Sequence, residues 1–562
     1  MLATRRHAPA PISVLHEELL WKIFLLNTYP DFDYHVNDYP LIGSGDRPLT
    51  TARQCSQVCR QWRSIYLSSS AIWGRLIDLD GLGQKTNKWR KEVVARTGEA
   101  SLWVYGVAKP CNVHDFPVPF LRNNWRRVQR LFITVVGDQN SYRQGFPVAF
   151  LQNNWRRVQR LFITVISGRD TSRTLLLLDR QPMWAFLEES APQLESFRSF
   201  KGIFDQTYKF PINASWLRNL SSVAFPHTCT PKEILNALRR MPELVSLTVF
   251  NPFPNYSEIS VHPGYPHIIL PKLRMLALRG NPRTVGILLE YIQPSADCSI
   301  TITRLIDISM AGEDNWEEYE KYEKSLTVHI VPYFSLHPPS TVRLHFISNK
   351  WRSALSLESY SAIGSDGLVS DDRRSIIELP FPWSPVIYKL IASASFSRVT
   401  TLRIPSSRSG DESASASLLV HLLKFFNSVT TFSANDAVLY CLLQRPEKTS
   451  ALFPALVTLE VIRLFLKEHN VWGEGVVAEP HEQFLKLRKE IGRPISILDL
   501  RPLSQLPRDR DNLEWEHPGL LVRWSRMIAN GERRTEEYSC GDGYPEKLRF
   551  SSVVEGFEAR RN

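Results

Sequence analysis

What limits the folds open to this chain is a short apolar motif that returns along much of its length. An aliphatic residue is followed, three residues later, by a second and, two later again, by a third. The motif occurs as Leu220/Val223/Phe225, Leu244/Leu247/Val249, Leu273/Leu276/Leu278, Val399/Leu402/Ile404, Leu456/Leu459/Val461 and Ile495/Leu498/Leu500, often after a proline. The last two residues alternate as in a short strand with one buried face, and the first sits at the end of the preceding loop or helix. Helical stretches lie between some copies. Thr230-Pro231-Lys232-Glu233 is a capping box with proline at the first helical position, opening a helix through Ile234, Leu235 and Leu238. Ser417 to Phe426 is a second apolar helical run. A strand and helix of this size cannot bury their apolar edges alone and must stack on their neighbours.

That layout resembles a leucine-rich-repeat solenoid. The repeats are uneven in length, and the Asn or Cys that usually fills the turn after the strand is mostly missing, so a degenerate solenoid with broken or missing turns is expected. The competing arrangement is one or two compact α/β domains around a closed sheet. No glycine-rich nucleotide loop stands at a strand–helix junction, which favours the solenoid. One repeat is of another kind: Phe116 to Val135 recurs as Phe146 to Val165 with differences only at Pro119/Ala149 and Arg122/Gln152. Each copy carries the strand motif, as Val128/Leu131/Ile133 and Val158/Leu161/Ile163, so the second can enter the stack as one more turn. If only one copy finds a place, Trp125 or Trp155 is carried into water.

The N-terminus reads differently. Leu15, Leu19 and Ile23 recur at helical spacing, with Leu20 and Phe24 widening the stripe and Glu18 beside it. Downstream, Thr50 or Thr51 can cap a helix in which Ala52, Cys55, Cys59 and Trp62 share a face. These helices are too short to stand alone and need tertiary packing. Leu15-His16-x-Glu18 with Ile23-Phe24, then Val58-Cys59-Arg60-Gln61-Trp62-Arg63, then Ile72-Trp73, resemble the two halves of an F-box. His16 replaces the usual proline, and a turn-rich insertion from about Asn27 to Arg47 separates the halves, an extension that costs little because loop entropy grows only logarithmically. Lys88-Trp89, Val94 to Gly98 and Leu102-Trp103-Val104 are similar to the extension that follows the box in many fungal F-box proteins.

The resemblance implies a substrate-choosing subunit of an SCF-type cullin-RING ubiquitin ligase. The adaptor subunit would dock on Leu15, Glu18, Leu19, Ile23, Phe24, Val58, Cys59, Trp62 and Trp73, by helix-in-groove contacts shared with the module's own core. The repeats would hold a protein substrate whose identity the sequence does not give; the alternative is a basic repeat-type nucleic-acid-binding or scaffold protein with no ligase role. The expected fold is therefore α/β, an N-terminal helical F-box followed by an irregular leucine-rich-repeat-like solenoid. Its expected parts are an F-box at 8–80, a connector at 81–110, the repeat region at 111–506 with the near-identical copies at 116–135 and 146–165, and a C-terminal cap and tail at 507–562. Within that tail, Asn512–Trp515 and Leu521–Trp524 suit a cap on the last repeat, while Gly541 to Pro545 read as poorly ordered.

Enzymatic chemistry is not expected, and neither a cofactor nor a metal is called for. Cys55 and Cys59 lack two further zinc ligands at suitable spacing. His227 and Cys229 lie in a proline-flanked loop with nothing nearby to orient the histidine. The acidic run Glu317, Glu318, Glu320 and Glu323 reads as a solvated helical face. Net charge is +11 over 562 residues, with arginines gathered at Arg122, Arg126, Arg127 and Arg130, at Arg156, Arg157 and Arg160, and at Arg508 and Arg510. A basic surface interleaved with Trp suits nucleic acid. That partner is the weaker alternative, since no nucleic-acid motif is present and a basic face equally favours an acidic protein substrate. No apolar run approaches a membrane span, and seven scattered cysteines fit a reducing compartment, cytoplasmic or nuclear.

Overall fold

The computed structural model describes residues 15–28, 47–83, 86–108, 116–137, 156, 158–167, 191–199, 210–225, 229–251, 265–280, 282–303, 316–349, 352–360, 375–380, 389–392, 396–405, 419–462, 479–503, 509–527 and 533–550. The chain divides into two compact units, Met1–Leu273 with Tyr291–Pro294, and Arg274–Glu290 with Ser295–Asn562.

The N-terminal unit opens with helices Glu17–Leu26, Pro48–Cys55, Arg60–Ser68, Ser70–Gly74 and Asn87–Arg96. Its sheet consists of β1 (Ile77–Asp78), β2 (Leu102–Ala108), β3 (Val128–Gly137), β4 (Arg160–Ser167), β5 (Ser196–Ser199), β6 (Ser222–Phe225) and β7 (Ser246–Asn251), each parallel to the next. Parallel neighbours require a crossover between every pair. The crossovers include the helix Pro117–Asn124, the 3₁₀ turn Ser215–Asn219 and the helix Pro231–Leu238. The last begins with the expected capping box: Glu233 N donates to Thr230 Oγ1 at 3.3 Å and Thr230 N to Glu233 Oε2 at 2.9 Å. Its Ile234, Leu235 and Leu238 turn inward.

Each of the six motif copies named from sequence marks a strand, its first residue preceding the strand and Leu500 following one, and every one of their aliphatic or aromatic residues is buried. At about 1.5–3 kcal/mol for each fully buried large apolar side chain, this ladder is the main favourable term holding each stack. The tandem copies lie side by side in register, Arg130 opposite Arg160 and Leu131 opposite Leu161 through to Gly137 and Ser167. The duplication therefore adds one turn of sheet. Trp125 is buried, while Trp155 lies outside the described residues.

In the C-terminal unit the strands are β8 (Met275–Gly280), β9 (Ser299–Thr303), β10 (Thr341–Asn349), β11 (Arg352–Tyr360), β12 (Ser375–Pro380), β13 (Thr401–Ile404), β14 (Thr431–Ala434), β15 (Thr458–Val461), β16 (Ile497–Asp499), β17 (Leu521–Met527) and β18 (Arg533–Ser539). β8 to β9 and β9 to β12 are parallel. β12, β11 and β10 then form an antiparallel meander, and β10 rejoins the parallel stack β13 to β17. The meander interrupts the solenoid between the Leu273 and Val399 motifs, a stretch in which the motif does not recur. β18 runs antiparallel to β17 and pairs along it from Leu521↔Ser539 to Met527↔Arg533.

Two readings of local order change here. The Gly541–Pro545 segment is fixed, not loose: Gly543 N donates to Glu514 Oε1 at 2.6 Å, Tyr544 N to Tyr538 Oη at 2.8 Å, and Tyr538 Oη to Glu514 Oε2 at 2.9 Å. Gly541 and Gly543 adopt φ of +97° and +87°, which glycine tolerates without strain. Glu323 of the helix Trp316–Leu336 is buried instead of solvated, next to the fully buried Tyr322.

Candidate functional site

The N-terminal helices have a closed inner side and an open outer side. Inside, the Phe24 ring stacks on Tyr66 at 4.5 Å between centroids and meets Trp62 edge-on at 4.9 Å. Trp73 is buried, donates from Nε1 to the Tyr66 carbonyl at 2.6 Å and lies under the Arg96 guanidinium at 4.9 Å. Trp21 Nε1 donates to Ser69 Oγ at 2.9 Å, tying the first helix to the turn before the fourth. Phe24 and Trp73, named from sequence among the partner contacts, are thus core residues that brace the helices. Trp62 is half-buried against Phe24, and Leu15 is also half-buried.

Outside, Leu19 is 49% exposed, Ile23 40% and Val58 63%. Leu26 and Leu67, not singled out from sequence, join the exposed apolar set. Glu18 and Cys59 are exposed as well. Glu18 pairs with Lys22 one turn on, 3.0 Å apart, and this partner holds its carboxyl below the usual range. His16 stands at the N-cap and its ring Nδ1 accepts from Glu18 N at 3.4 Å, so histidine supplies a cap where a proline would have pre-set the turn.

The second half of the motif is two helices, not one. Pro48–Cys55 begins with Pro48 at its first turn after Arg47, so Thr50 and Thr51 lie inside the helix and cap nothing. Residues 56–59 interrupt the helix, and Cys59 starts the next as N-cap, its Sγ accepting from Trp62 N at 3.5 Å. Cys55 and Cys59 are therefore not neighbours on one helical face. Arg47 turns inward to the fully buried Asp78 at 3.2 Å, and Asp78 Oδ1 accepts from Gly81 N at 2.9 Å.

Several arginines read as a basic surface do internal work. Arg127 donates to Thr97 O at 3.1 Å, to Thr97 Oγ1 at 2.7 Å and to Ala100 O at 3.1 Å, joining the segment before β2 to the start of β3. Arg130 covers the Trp103 ring at 3.7 Å, with Arg75 over the same ring at 4.2 Å. Arg510 sits between Glu479 and Glu482, 3.1 Å from the latter. Arg122, Arg126 and Arg156 are exposed, Arg160 is half-buried, and Arg157 and Arg508 lie outside the described residues.

Sequence spacing gave no sign of a cluster in the C-terminal unit. Asp436, Glu479 and His481 bring one ligand-type atom each within 4.8 Å of one another. His481 Nδ1 is 2.9 Å from Asp436 Oδ1, both side chains are buried, and Nε2 is 3.7 Å from Glu479 Oε2. Arg510 supplies a cation to Glu479, so the three residues belong to a buried charge network. Burial pushes the Glu482 carboxyl up, against the pull of Arg510. The residues are 45 apart in sequence at the Asp436–His481 contact, beyond any spacing rule. Of His227 and Cys229, set aside as a catalytic pair, His227 lies outside the described residues, and burial pushes the Cys229 thiol well above its ordinary range. A closed thiol of this kind is a core residue.

No family model matches the chain, and no curated protein matches it. Among solved structures it is similar to the leucine-rich repeat-containing protein LegL7 from Legionella pneumophila, at 13% identity, covering 65% of this chain and 92% of that one with a TM-score of 0.22. Among the described residues no helix is long and apolar enough to cross a membrane.

Proposed function

We propose that the chain is the substrate-recognition subunit of an SCF-type cullin-RING ubiquitin ligase, with the N-terminal helices as an F-box that binds the adaptor subunit and the repeats as the substrate-holding surface. One observation carries this reading. Leu19, Ile23, Leu26 and Leu67 stay exposed on helices, and Val58 on the turn between two of them, while the inner faces are already filled by Leu20, Phe24, Ile65 and Tyr66. Apolar side chains left outward by short helices with a saturated core suit a groove on a partner. The work done would be positional: the repeats hold a substrate so that its lysines meet activated ubiquitin at high effective concentration. The nucleic-acid alternative loses weight because Arg127, Arg130 and Arg510 are engaged within the protein.

Co-expression of the full chain with the adaptor subunit tests the proposal. The parent should co-purify with the adaptor. Leu19→Asp combined with Val58→Asp should abolish this, since interface anchors commonly contribute about 2 kcal/mol or more each. Both side chains are open to solvent, so the variant should melt as the parent does. A folded parent that fails to bind the adaptor sinks the assignment.

A further inference from the structure

We propose that β18 (Arg533–Ser539) is a pairing edge for a second copy of this chain. Two copies join antiparallel along it about a twofold axis at Thr535, so that Arg533 and Arg534 of each copy face Glu537 and Glu536 of the other. Such a dimer is independent of the ligase reading, since the strand lies in the C-terminal unit and the proposed adaptor contacts lie in the N-terminal one.

β18 pairs with β17 in unbroken register from Leu521↔Ser539 to Met527↔Arg533, and among the described residues no strand takes its other edge. The direction of its backbone follows from the end of the pair. Cys540 N donates to the Leu520 carbonyl at 2.9 Å, and hydrogen-bonded pairs alternate along an antiparallel ladder. Cys540, Tyr538, Glu536 and Arg534 therefore turn their backbone groups to β17, while Glu537, Thr535 and Arg533 turn theirs outward. Arg533, Arg534, Thr535 and Glu537 are exposed and Glu536 is half-buried. Such a row of outward donors and acceptors is a template for another strand, and no proline or bulge blunts it.

The side chains choose the partner. Arg533-Arg534-Thr535-Glu536-Glu537 reverses its charge about the central threonine. Turned antiparallel on a copy of itself about Thr535, the strand sets Arg533 opposite Glu537, Arg534 opposite Glu536 and Thr535 opposite Thr535. Residues so placed have Cβ atoms about 4.5–5.5 Å apart, within reach of an ion pair. The backbone agrees, because 533, 535 and 537 are the outward residues and become the hydrogen-bonded pairs of the new ladder. Neighbouring registers fail. Centred on Arg534, the strand puts that arginine against itself; centred on Glu536, it brings two carboxylates together; parallel in register, it opposes like charges throughout. Charge on an edge ordinarily keeps strands apart. Here the order of the charges admits one register and repels those beside it. Within its own hairpin Arg534 stands opposite Arg526, so no carboxylate faces it across the strand. A carboxylate accepts at about four positions, and Glu537, 59% exposed beside Arg523, has room for a second guanidinium.

A second copy fits better than a polyanion or a peptide of one charge sign. The two glutamates repel a phosphate backbone, and a uniformly acidic or basic peptide matches only half of the strand. Five paired residues from each copy make an interface below about 1,000 Å², so the dimer is a weak one, and salt weakens it further.

Analytical ultracentrifugation of the full chain, from micromolar to submillimolar concentration at low and high salt, tests the pairing. The parent should pass from monomer to dimer as concentration rises, and salt should move that transition to higher concentration. Arg533→Glu with Arg534→Glu makes the stretch uniformly acidic, and Glu536→Lys with Glu537→Lys makes it uniformly basic. Each double variant alone should dimerise at least about tenfold more weakly than the parent, and an equimolar mixture of the two should regain the parent's affinity. Thr535→Pro removes an N–H that β17 does not use, so the hairpin stays while the central hydrogen bonds to the second copy are lost, and this variant should be monomeric throughout. Circular dichroism confirms folding. If the basic variant unfolds through loss of the Glu536 contact to Trp524, the acidic variant and Thr535→Pro decide. A parent that stays monomeric at the highest concentration overturns the proposal. So does a dimer that survives the acidic variant or Thr535→Pro unchanged, or a mixture of two folded double variants that associates no better than either alone.

Discussion

Asp436 Oδ1 lies 2.9 Å from His481 Nδ1, and neither side chain reaches solvent. The contact joins the first turn of the helix Asp436–Leu443 to the first turn of the helix Pro480–Glu490, two crossovers that follow successive strands. Replacing Asp436 with Ala strands the imidazole in the core. Breaking a buried pair from one side costs roughly 3–5 kcal/mol. Asp436→Ala combined with His481→Leu should lose less than the sum of the single changes, because no polar atom is then left without its partner. Urea unfolding followed by fluorescence measures both, and strict additivity would show that the pair is not coupled.

Arg127 gives a second prediction in the N-terminal unit. Its fork satisfies two backbone carbonyls and the Thr97 hydroxyl. Hydrogen bonds to charged groups contribute about 1.5–3 kcal/mol, so Arg127→Ala should lower the urea midpoint by a matching amount. Arg127→Lys should recover only part of the loss, because a single ammonium cannot span three acceptors held for a planar fork. Full recovery by lysine would mean that charge, not geometry, holds the joint.

The repeat motif was legible because its period is local. A pair such as Leu402 and Ile404 must alternate inward wherever the strand forms, and Val399 must anchor the turn before it. Some strands of the stacks escaped that pattern, β5 and β14 among them. β5 uses Leu194 and Phe197, and β14 uses Val429, Phe432 and Ala434, so aromatic and small residues stand where aliphatics were sought. The meander β10 to β12 was invisible for another reason, since its pairing joins residues such as Leu357 and Ile377 on separate strands. At the N-terminus, helical spacing placed Leu19, Ile23 and Phe24 on a helix and the resemblance added Trp73, but neither told inner from outer. That division is set by Tyr66 and Trp62 closing over Phe24, and by the break at 56–59, neither of which is a periodic signal. The Asp436–Glu479–His481 cluster, assembled across two crossovers, had no sequence spacing to find.

Acid should weaken the C-terminal unit. Burial pushes the His329 imidazole below its ordinary 6.5, although Nε2 lies 2.6 Å from the Leu289 carbonyl, and burial lowers His517 as well. With folded values below unfolded ones, the unfolded chain takes up protons first. Stability from the neutral rings is complete above about 6.5 and is lost as pH falls through the lower folded values. Glu482 acts in the opposite sense: burial raises its carboxyl from 4.5, so its share declines as pH rises through that shifted value. A glutamine amide at 329 keeps a donor for Leu289 without titrating. His329→Gln should therefore lose less melting temperature than the parent between about pH 7.5 and about pH 5.5. Equal slopes would remove His329 as a contributor.

Thiol reactivity should map which parts of the fold open. Cys229, Cys298 and Cys540 are each 2% exposed, and burial raises Cys298 and Cys540 to about 12. The thiolate is the reactive form, so closed thiols with raised values should resist iodoacetamide near neutral pH, while the exposed Cys59 is alkylated. Mass spectrometry after timed native labelling should find Cys59 modified first, with the three buried sites modified only in denaturant. Cys540 is the discriminating position. It follows β18 directly, and its N–H donates to the Leu520 carbonyl at 2.9 Å. If Cys540 is labelled in native buffer while Cys298 stays protected, the terminal hairpin β17–β18 opens on its own, as a low-stability edge unit would. If both stay protected together, the hairpin is as firmly held as the stack it pairs with, and its role as a closing edge for the parallel strands stands.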